Sequence, residues 1–367
     1  MSLIDQLPTG KTSLGKMSEC TFHKNKVYWY TTDEWNSNAR ELKIICTTYD
    51  SKKTDTIMIN IPDTIQIASL PLISLNEKYI ILTDDYHFNQ YRFELNNGIY
   101  QYANEIYKPS DSPVNMVTTI NSELFLFECL YNFHPDNKQF NTNLAIYNAR
   151  TNILSNFIHP DLPCIGFSHL EKKWTAVNDS VIALASPCGY QIYLYDLNLK
   201  LIDSIQFKPA GWKDIPGLKI PFETNPSKIH PKHLIKKLDN YQDSISRIEK
   251  IFFIDDSTLM ITGMNGQIPK NRNVELWNIH HHNKPIYTSP VQIVYSDSDL
   301  VNPNRELLQL SLPLNLHFND RKLIWFNDEE TFYRDGQSYI QQKQFKDTYY
   351  ENNDPQFNIG VYKLSIP

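Results

Sequence analysis

Trp174-Thr175-Ala176-Val177-Asn178-Asp179-Ser180-Val181-Ile182-Ala183-Leu184 reads as two short apolar strands on either side of an asparagine turn. Two further strand-like stretches follow it closely, at residues 191–197 and 201–205. Apolar and polar residues alternate in them, and β-branched and aromatic residues are frequent, as is typical of strands. The stretch therefore predicts a sheet of four consecutive strands.

The same hairpin recurs along the chain, each time around an Asn or Asp. The turn residues are Asn25, Asn76, Asn121, Asn178, Asp255 and Asn319. A repeated hairpin with a spacing of roughly 45 to 60 residues, where insertions are few, is typical of a β-propeller. We therefore expect an all-β fold: a six-bladed β-propeller with four-stranded blades. An all-β sandwich or barrel with coincidental hairpins is the alternative.

A third and a fourth strand can be assigned after most of the hairpins. Third strands are expected at residues 42–46, 90–95, 143–148, 191–197, 274–279 and 358–364, and fourth strands at 56–60, 100–103, 153–157, 201–205 and 286–294. The last blade lacks a fourth strand, and Leu3–Leu7 precedes the first hairpin without another role. We expect this N-terminal segment to supply the missing outer strand and to close the ring, which removes an open sheet edge.

Composition narrows the class of protein and of partner. The chain has 367 residues and a net charge of −6 with no dense basic stripe, so duplex nucleic acid is not an expected partner. No apolar run is long enough to span a bilayer, and no signal peptide is visible at the N-terminus. The five cysteines include no CxxC pair, so they predict neither a metal site nor a disulfide framework. No cofactor is expected. Residues 1–367 are interpreted as a single propeller domain.

Long segments should collect on one face of such a propeller. The connections from second to third strand are long at residues 31–41, 128–143 and 327–357, and the link 208–243 between the fourth and fifth blades belongs to the same face. Loops of this length are usually functional. Prolines divide the link, and Pro231 precedes a short predicted helix at 233–238. The link either caps the channel mouth or packs against its neighbouring blades.

Acidic, aromatic and basic residues are frequent on this long-loop face. Carboxylates beside flat aromatic rings suit sugars, and they also suit cationic peptide groups. The candidate ligand-binding residues are Asp33, Trp35, Asp84, Asp85, Tyr86, His87, Tyr131, His134, Arg272, Asp328, Glu329, Tyr333 and Arg334. Whether any of them binds a metal is left open.

Motifs for catalysis or metal binding are weak. Three adjacent histidines, His280 to His282, do not converge on one metal if they lie in a strand, because neighbours point to opposite faces. The pair His230 and His233 lacks the glutamate of the HExxH pattern. There is no GxSxG motif and no phosphate-binding loop, so no catalytic residues are assigned.

The stretch Ile245-Ser246-Arg247-Ile248-Glu249-Lys250-Ile251-Phe252-Phe253-Ile254-Asp255-Asp256-Ser257-Thr258-Leu259, with the proline-rich link before it, resembles uncharacterised bacterial six-bladed β-propeller proteins of the TolB-like superfamily. The resemblance implies a binding or scaffolding role, with a periplasmic or cell-envelope location. It supplies no catalytic residues, and a cytoplasmic location stays open.

Three functions are compatible with these observations. The first is a non-enzymatic binding protein that recognises a glycan, peptide or protein at the long-loop face. The alternative is a hydrolase or lyase acting on a polysaccharide or peptide at the channel mouth, where His87, His134 and the acids near residue 328 would act as acid/base groups or metal ligands. A third possibility is a scaffold that binds proteins through its outer rim.

Overall fold

In the computed structural model every regular element among the described residues is a β-strand. The described residues are 2–8, 21–23, 26–29, 40–48, 50–65, 67, 71–84, 89–106, 116–134, 139–158, 174–186, 190–206, 212, 246–265, 270–281, 284–288, 292–294, 317–319, 322–327 and 358–363. The predicted helix at 233–238 lies outside them. The all-β class is confirmed for this part of the chain.

The strands, in chain order, are β1 (Ser2–Pro8), β2 (Thr21–His23), β3 (Lys26–Trp29), β4 (Glu41–Thr48), β5 (Thr54–Asn60), β6 (Leu72–Leu75), β7 (Tyr79–Thr83), β8 (Gln90–Asn96), β9 (Ile99–Glu105), β10 (Met116–Thr119), β11 (Leu124–His134), β12 (Gln139–Asn148), β13 (Ile153–Ile158), β14 (Thr175–Val177), β15 (Ile182–Ser186), β16 (Gln191–Tyr195), β17 (Leu201–Gln206), β18 (Arg247–Phe253), β19 (Thr258–Asn265), β20 (Lys270–Asn278), β21 (Tyr287–Thr288), β22 (Gln292–Val294), β23 (His317–Asn319), β24 (Lys322–Asn327) and β25 (Asn358–Lys363).

Most of the strands join into sheets of four in chain order. β10 to β13 form one such sheet and β14 to β17 another, and β18 to β21 form a third in which β22 also pairs with β20. Neighbouring strands of the β14–β17 sheet are antiparallel throughout. These sheets have the strand number and order that the sequence predicts for propeller blades.

One sheet unites the first and last strands. β1 pairs antiparallel with β25, from Ser2 opposite Lys363 to Pro8 opposite Asn358, and β24 and β23 complete the order β1-β25-β24-β23. The expectation that the N-terminal segment supplies the outer strand of the C-terminal sheet is confirmed. The edge that β25 would otherwise expose is thereby paired.

Two groups of four strands share an edge, which the sequence did not predict. β2 to β5 and β6 to β9 form one eight-stranded sheet in the order β2-β3-β4-β5-β9-β8-β7-β6. The junction is a parallel pairing between the outer strands β5 and β9, at Ile59 opposite Tyr100. Both outer strands therefore have a partner on the side that a separate blade leaves open.

The sheets build their cores around their second strands. Every residue of β7 and of β15 is buried, as expected for strands covered on both faces. The outer strand β9 instead alternates between buried or half-buried and exposed residues, with Tyr100 and Tyr102 inward. The difference in burial between β7 and β9 follows from the sequence. Ile80, Ile81 and Leu82 form a continuous apolar run, whereas β9 is half polar.

At four of the predicted hairpin turns, the side chain of the Asn or Asp residue accepts hydrogen bonds from the turn backbone. Asn76 Oδ1 accepts hydrogen bonds from the N–H groups of Lys78 at 3.0 Å and Tyr79 at 2.8 Å. Asn121, Asn178 and Asp255 accept from the residues that follow them in the same way. An Asx side chain satisfies turn donors that would otherwise need water, which explains its recurrence at this position.

The asparagine turns also link neighbouring sheets. Asn76 Nδ2 donates to the carbonyl of Asn121 at 3.0 Å, and Asn178 Nδ2 donates to the carbonyl of Asp256 at 2.8 Å. In both asparagines, Oδ1 therefore accepts hydrogen bonds within its own turn, and Nδ2 donates one to the turn of the hairpin in the neighbouring sheet. An aspartate such as Asp255 has no side-chain N–H for this second role.

The chain divides into two compact units. One consists of residues 1–127, 147–154 and 297–367, and the other of residues 128–146 and 155–296. Each unit contains inner strands of successive sheets in contact: Thr119 Oγ1 donates to the Leu75 carbonyl at 3.0 Å in the first, and Trp174 Nε1 donates to the Ile248 carbonyl at 3.2 Å in the second. The single domain 1–367 stays a prediction.

Within the described ranges no helix has the length and hydropathy needed to cross a membrane.

Candidate functional site

Most of the predicted ligand-binding residues lie outside the described residues. These are Asp33, Trp35, Asp85, Tyr86, His87, Asp328, Glu329, Tyr333 and Arg334. Their role in binding stays a prediction. The link 208–243 lies outside as well, with the exception of Trp212.

Tyr131, His134 and Arg272 lie in strands. The prediction of a long loop at 128–143 was wrong. β11 continues to His134 and β12 begins at Gln139, so only the segment 135–138 connects the two strands. Asn is frequent in this segment and is depleted in strands, but the pairing of β11 with β12 overrides that preference. Arg272 lies in β20, opposite Met264 on β19 and Gln292 on β22.

Asp84 lies at the base of the connection between β7 and β8. Its backbone N–H donates to the carbonyl of Asn89 at 2.9 Å, which closes this connection. The residue is 0% exposed.

A polar cluster that the sequence reasoning missed joins the sheets β14–β17 and β18–β22. Tyr190, directly before β16, donates its hydroxyl hydrogen to Glu275 Oε2. Trp277 Nε1 donates to the same oxygen at 3.0 Å. Glu275, Tyr190 and Trp277 are all almost completely buried. A buried carboxylate requires such donors, because it has lost its hydration.

Trp212 joins this cluster from the predicted link 208–243. Its ring contacts that of Tyr190 edge to face, with the centroids 4.8 Å apart and the planes at 78°. Such a pair stabilises by about 0.5–1.5 kcal/mol beyond the apolar area that it buries. Of the two roles predicted for the link, packing against a neighbouring blade is what Trp212 does; the rest of the link lies outside the described residues.

The environment of Tyr190 favours its neutral form. Burial is the main cause that raises the pKa of Tyr190 well above its usual value, and the nearby charge of Glu275 raises it further. The phenol therefore stays protonated and keeps donating to Glu275. Tyr190 also has a φ of 43°, a left-handed conformation that is uncommon for a bulky residue. The arrangement connects two sheets through buried hydrogen bonds.

A second buried carboxylate also accepts a hydrogen bond from a side-chain hydroxyl of another sheet. Glu128 on β11 accepts a hydrogen bond from Thr175 Oγ1 on β14 at 2.5 Å, and both residues are almost fully buried. The sequence signal that could have identified both carboxylates is an acidic residue directly next to the apolar residues of a strand. It occurs as Glu128 after Phe125-Leu126-Phe127 and as Glu275 before Leu276 and Trp277.

A metal site is not formed by the described residues. They contain no group of three or more His, Cys, Asp or Glu side chains that could hold an ion. His280 and His281 are exposed, and both donate their backbone N–H groups to Asn278 Oδ1, at 2.8 and 3.2 Å. They form the turn after β20, as predicted for the connection between a third and a fourth strand.

Comparison with solved structures finds similarity over nearly the whole chain. A member of the DUF4221 family from Bacteroides vulgatus is 9% identical with a TM-score of 0.49, covering 99% of this chain and 96% of that one. The WD40 domain of Toxoplasma gondii coronin is 9% identical with a TM-score of 0.46, covering 100% and 76%. A luciferin-regenerating enzyme is 6% identical with a TM-score of 0.45, covering 98% and 96%. Similarities this distant transfer neither a family nor an activity.

Sequence comparison gives no assignment. No protein-family model matches the chain. No curated protein matches it either.

Proposed function

We propose that this chain is a non-enzymatic binding protein that recognises a glycan, peptide or protein at its long-loop face. The proposal includes the finer architecture: one domain over residues 1–367, a closed ring of six four-stranded blades, and kinship with bacterial TolB-like propellers of the cell envelope. A propeller presents its connections as a ring of variable loops on a constant scaffold, which suits recognition.

The supporting observation is the difference between the two ends of the strands. At one end the turns are short and closed by Asx hydrogen bonds, as at Asn76, Asn121 and Asn178. At the other end the connections vary in length, from 135–138 to 30–40 and 328–357. Variation in length at one end of regular sheets is what recognition requires, since the scaffold stays constant while the loops change.

The binding residues in this proposal combine rings and charges. Trp35, Tyr86, Tyr131 and Tyr333 would stack on sugar rings or contact apolar peptide side chains. The charged partners are Asp33, Asp84, Asp85, Asp328, Glu329, His87, His134, Arg272 and Arg334. Aromatic faces with convergent hydrogen-bonding groups are typical of ligand sites.

The test is a binding screen of the full chain against an oligosaccharide array and a library of immobilised peptides. For any ligand found, Trp35→Ala and Tyr333→Ala should weaken binding by at least about tenfold, since stacked aromatic residues dominate such contacts. His281→Ala is the matched control, because His281 is exposed at the opposite ends of the strands. Binding that survives both aromatic substitutions and is lost in the control would overturn the proposal. Cleavage of an array oligosaccharide or peptide by the protein would replace it with the hydrolase or lyase.

A further inference from the structure

The described outer strands of the sheets differ in what lies along their edges. β5 and β9 pair with each other. β13 is interrupted by Asn156, whose φ of 56° is incompatible with a regular strand, and the edge beside β20 is divided into the two short strands β21 and β22. β17 runs from Leu201 to Gln206 with one bulge, at Ile202, and like β1 it is the last strand in its sheet order. The backbone groups along such an edge can pair with another strand.

This edge is also unusually apolar. Leu201 is 52% exposed and Ile202 is 57% exposed, although both lie in a strand. Ile202 has no counterpart on β16, because a bulge separates Leu201 opposite Tyr195 from Asp203 opposite Leu194. Lys200 and Asp203 flank the pair and are exposed as well. Four consecutive exposed residues, Lys200–Asp203, thus form a surface that we call the β17 edge.

The β17 edge is fixed to its own sheet by buried residues and hydrogen bonds on both sides. Leu199 is 4% exposed and Ile205 is fully buried, so the strand is anchored on both sides. Asp196 Oδ1 accepts the backbone N–H of Lys200 at 2.8 Å, and the Asp196 N–H donates to the Lys200 carbonyl at 3.0 Å. A preorganised strand loses little entropy when it binds, which favours association.

We propose that the β17 edge binds the same edge of a second copy of this chain, antiparallel, about a two-fold axis between Leu201 and Ile202. In this register Lys200 of one copy lies opposite Asp203 of the other, and Leu201 lies opposite Ile202. The sequence is therefore complementary to itself in charge and in hydrophobicity. An isologous two-fold interface requires this property, since each residue meets its counterpart twice.

The chain already contains one edge-to-edge junction of sheets. β5 and β9 join two four-stranded groups through a parallel pairing, whereas two β17 strands would join two β14–β17 sheets through an antiparallel one. The contact is small compared with the roughly 1,200–2,000 Å² of a stable interface, so we expect a reversible dimer that depends on concentration.

A charge swap tests the register. The substitutions Lys200→Asp and Asp203→Lys each place two like charges opposite one another on both sides of the axis. Each should raise the dissociation constant of the dimer roughly tenfold in sedimentation-equilibrium ultracentrifugation. The double variant K200D/D203K restores opposite charges and should return the constant to that of the original chain.

Two further variants complete the test. Ile202→Lys should abolish the dimer, whereas Ile153→Lys should leave it unchanged, because Ile153 is equally exposed but lies on β13. Far-ultraviolet circular dichroism and the thermal midpoint show whether each variant is folded. A chain that stays monomeric up to millimolar concentration overturns the proposal, as does a dimer that the double variant fails to restore.

Discussion

The substitution Asn76→Asp separates the two roles of the turn asparagine. Asn76 is fully buried, and its Oδ1 serves the turn while its Nδ2 donates to the Asn121 carbonyl at 3.0 Å. An aspartate retains the acceptor for the turn. Its second oxygen faces a carbonyl oxygen, however, so the ionised form is repelled in a position without water.

The loss of stability expected for Asn76→Asp increases with pH. Burial and the facing carbonyl raise the pKa of the new carboxyl in the folded state above its unfolded value of about 3.9. When protonated, the carboxyl donates to Asn121 as the amide did. The free energy of unfolding of the variant therefore equals that of the original chain below about pH 4. It decreases as the pH rises through the pKa of the carboxyl in the folded state. A shift of two to three units corresponds to a loss of about 3–4 kcal/mol at pH 8.

Urea unfolding followed by tryptophan fluorescence between pH 4 and pH 8 measures this loss. Asn76→Ala removes three hydrogen bonds at about 1 kcal/mol each, so it should cost about 3 kcal/mol at every pH. Asn178→Asp is the matched control, because its Nδ2 bond to Asp256 lies at the surface, where water replaces it. A destabilisation of Asn76→Asp that does not change with pH would show that the ionised carboxylate is not repelled at this position.

Three further predictions concern the buried tyrosines and their partners. Tyr190→Phe removes a donor to Glu275 and should lower the free energy of unfolding by about 1.5–3 kcal/mol in urea titrations. Trp212→Ala removes the ring contact with Tyr190, so limited proteolysis should cut the neighbouring link faster while the rest of the chain resists. Burial raises the pKa of Tyr100 and of Tyr147 to about 12, so their stabilisation is complete below pH 10 and is lost as the pH rises from 10 to 12, which absorbance at 295 nm and circular dichroism detect together.

The strands and turns were predictable because their signals are local. Asn76, Asn121 and Asn178 occur between apolar runs, and an Asx turn needs only the next three residues. Pairing of β1 with β25 was predictable for a different reason. The four-stranded repeat left the last blade without its fourth strand, and it left one strand at the N-terminus unassigned.

Other features depend on contacts that no local pattern encodes. The junction of β5 with β9 depends on how two outer edges approach, and the residues at the contact, Ile59 and Tyr100, are ordinary strand residues. The bond from Tyr190 to Glu275 joins residues far apart in the sequence. The candidate site depends on loops, whose conformation follows from many weak contacts and not from periodicity. Its residues could be named from their chemistry, but their arrangement could not be derived.

The pairing of β1 with β25 has a consequence for synthesis on the ribosome. β1 is translated before all the other described strands, and its hydrogen-bonding partner is translated after all of them. The N-terminal segment must therefore wait, with its backbone groups unpaired, while the intervening sheets emerge and fold. The sheet β1-β25-β24-β23 therefore cannot be completed until the last described strand has been translated.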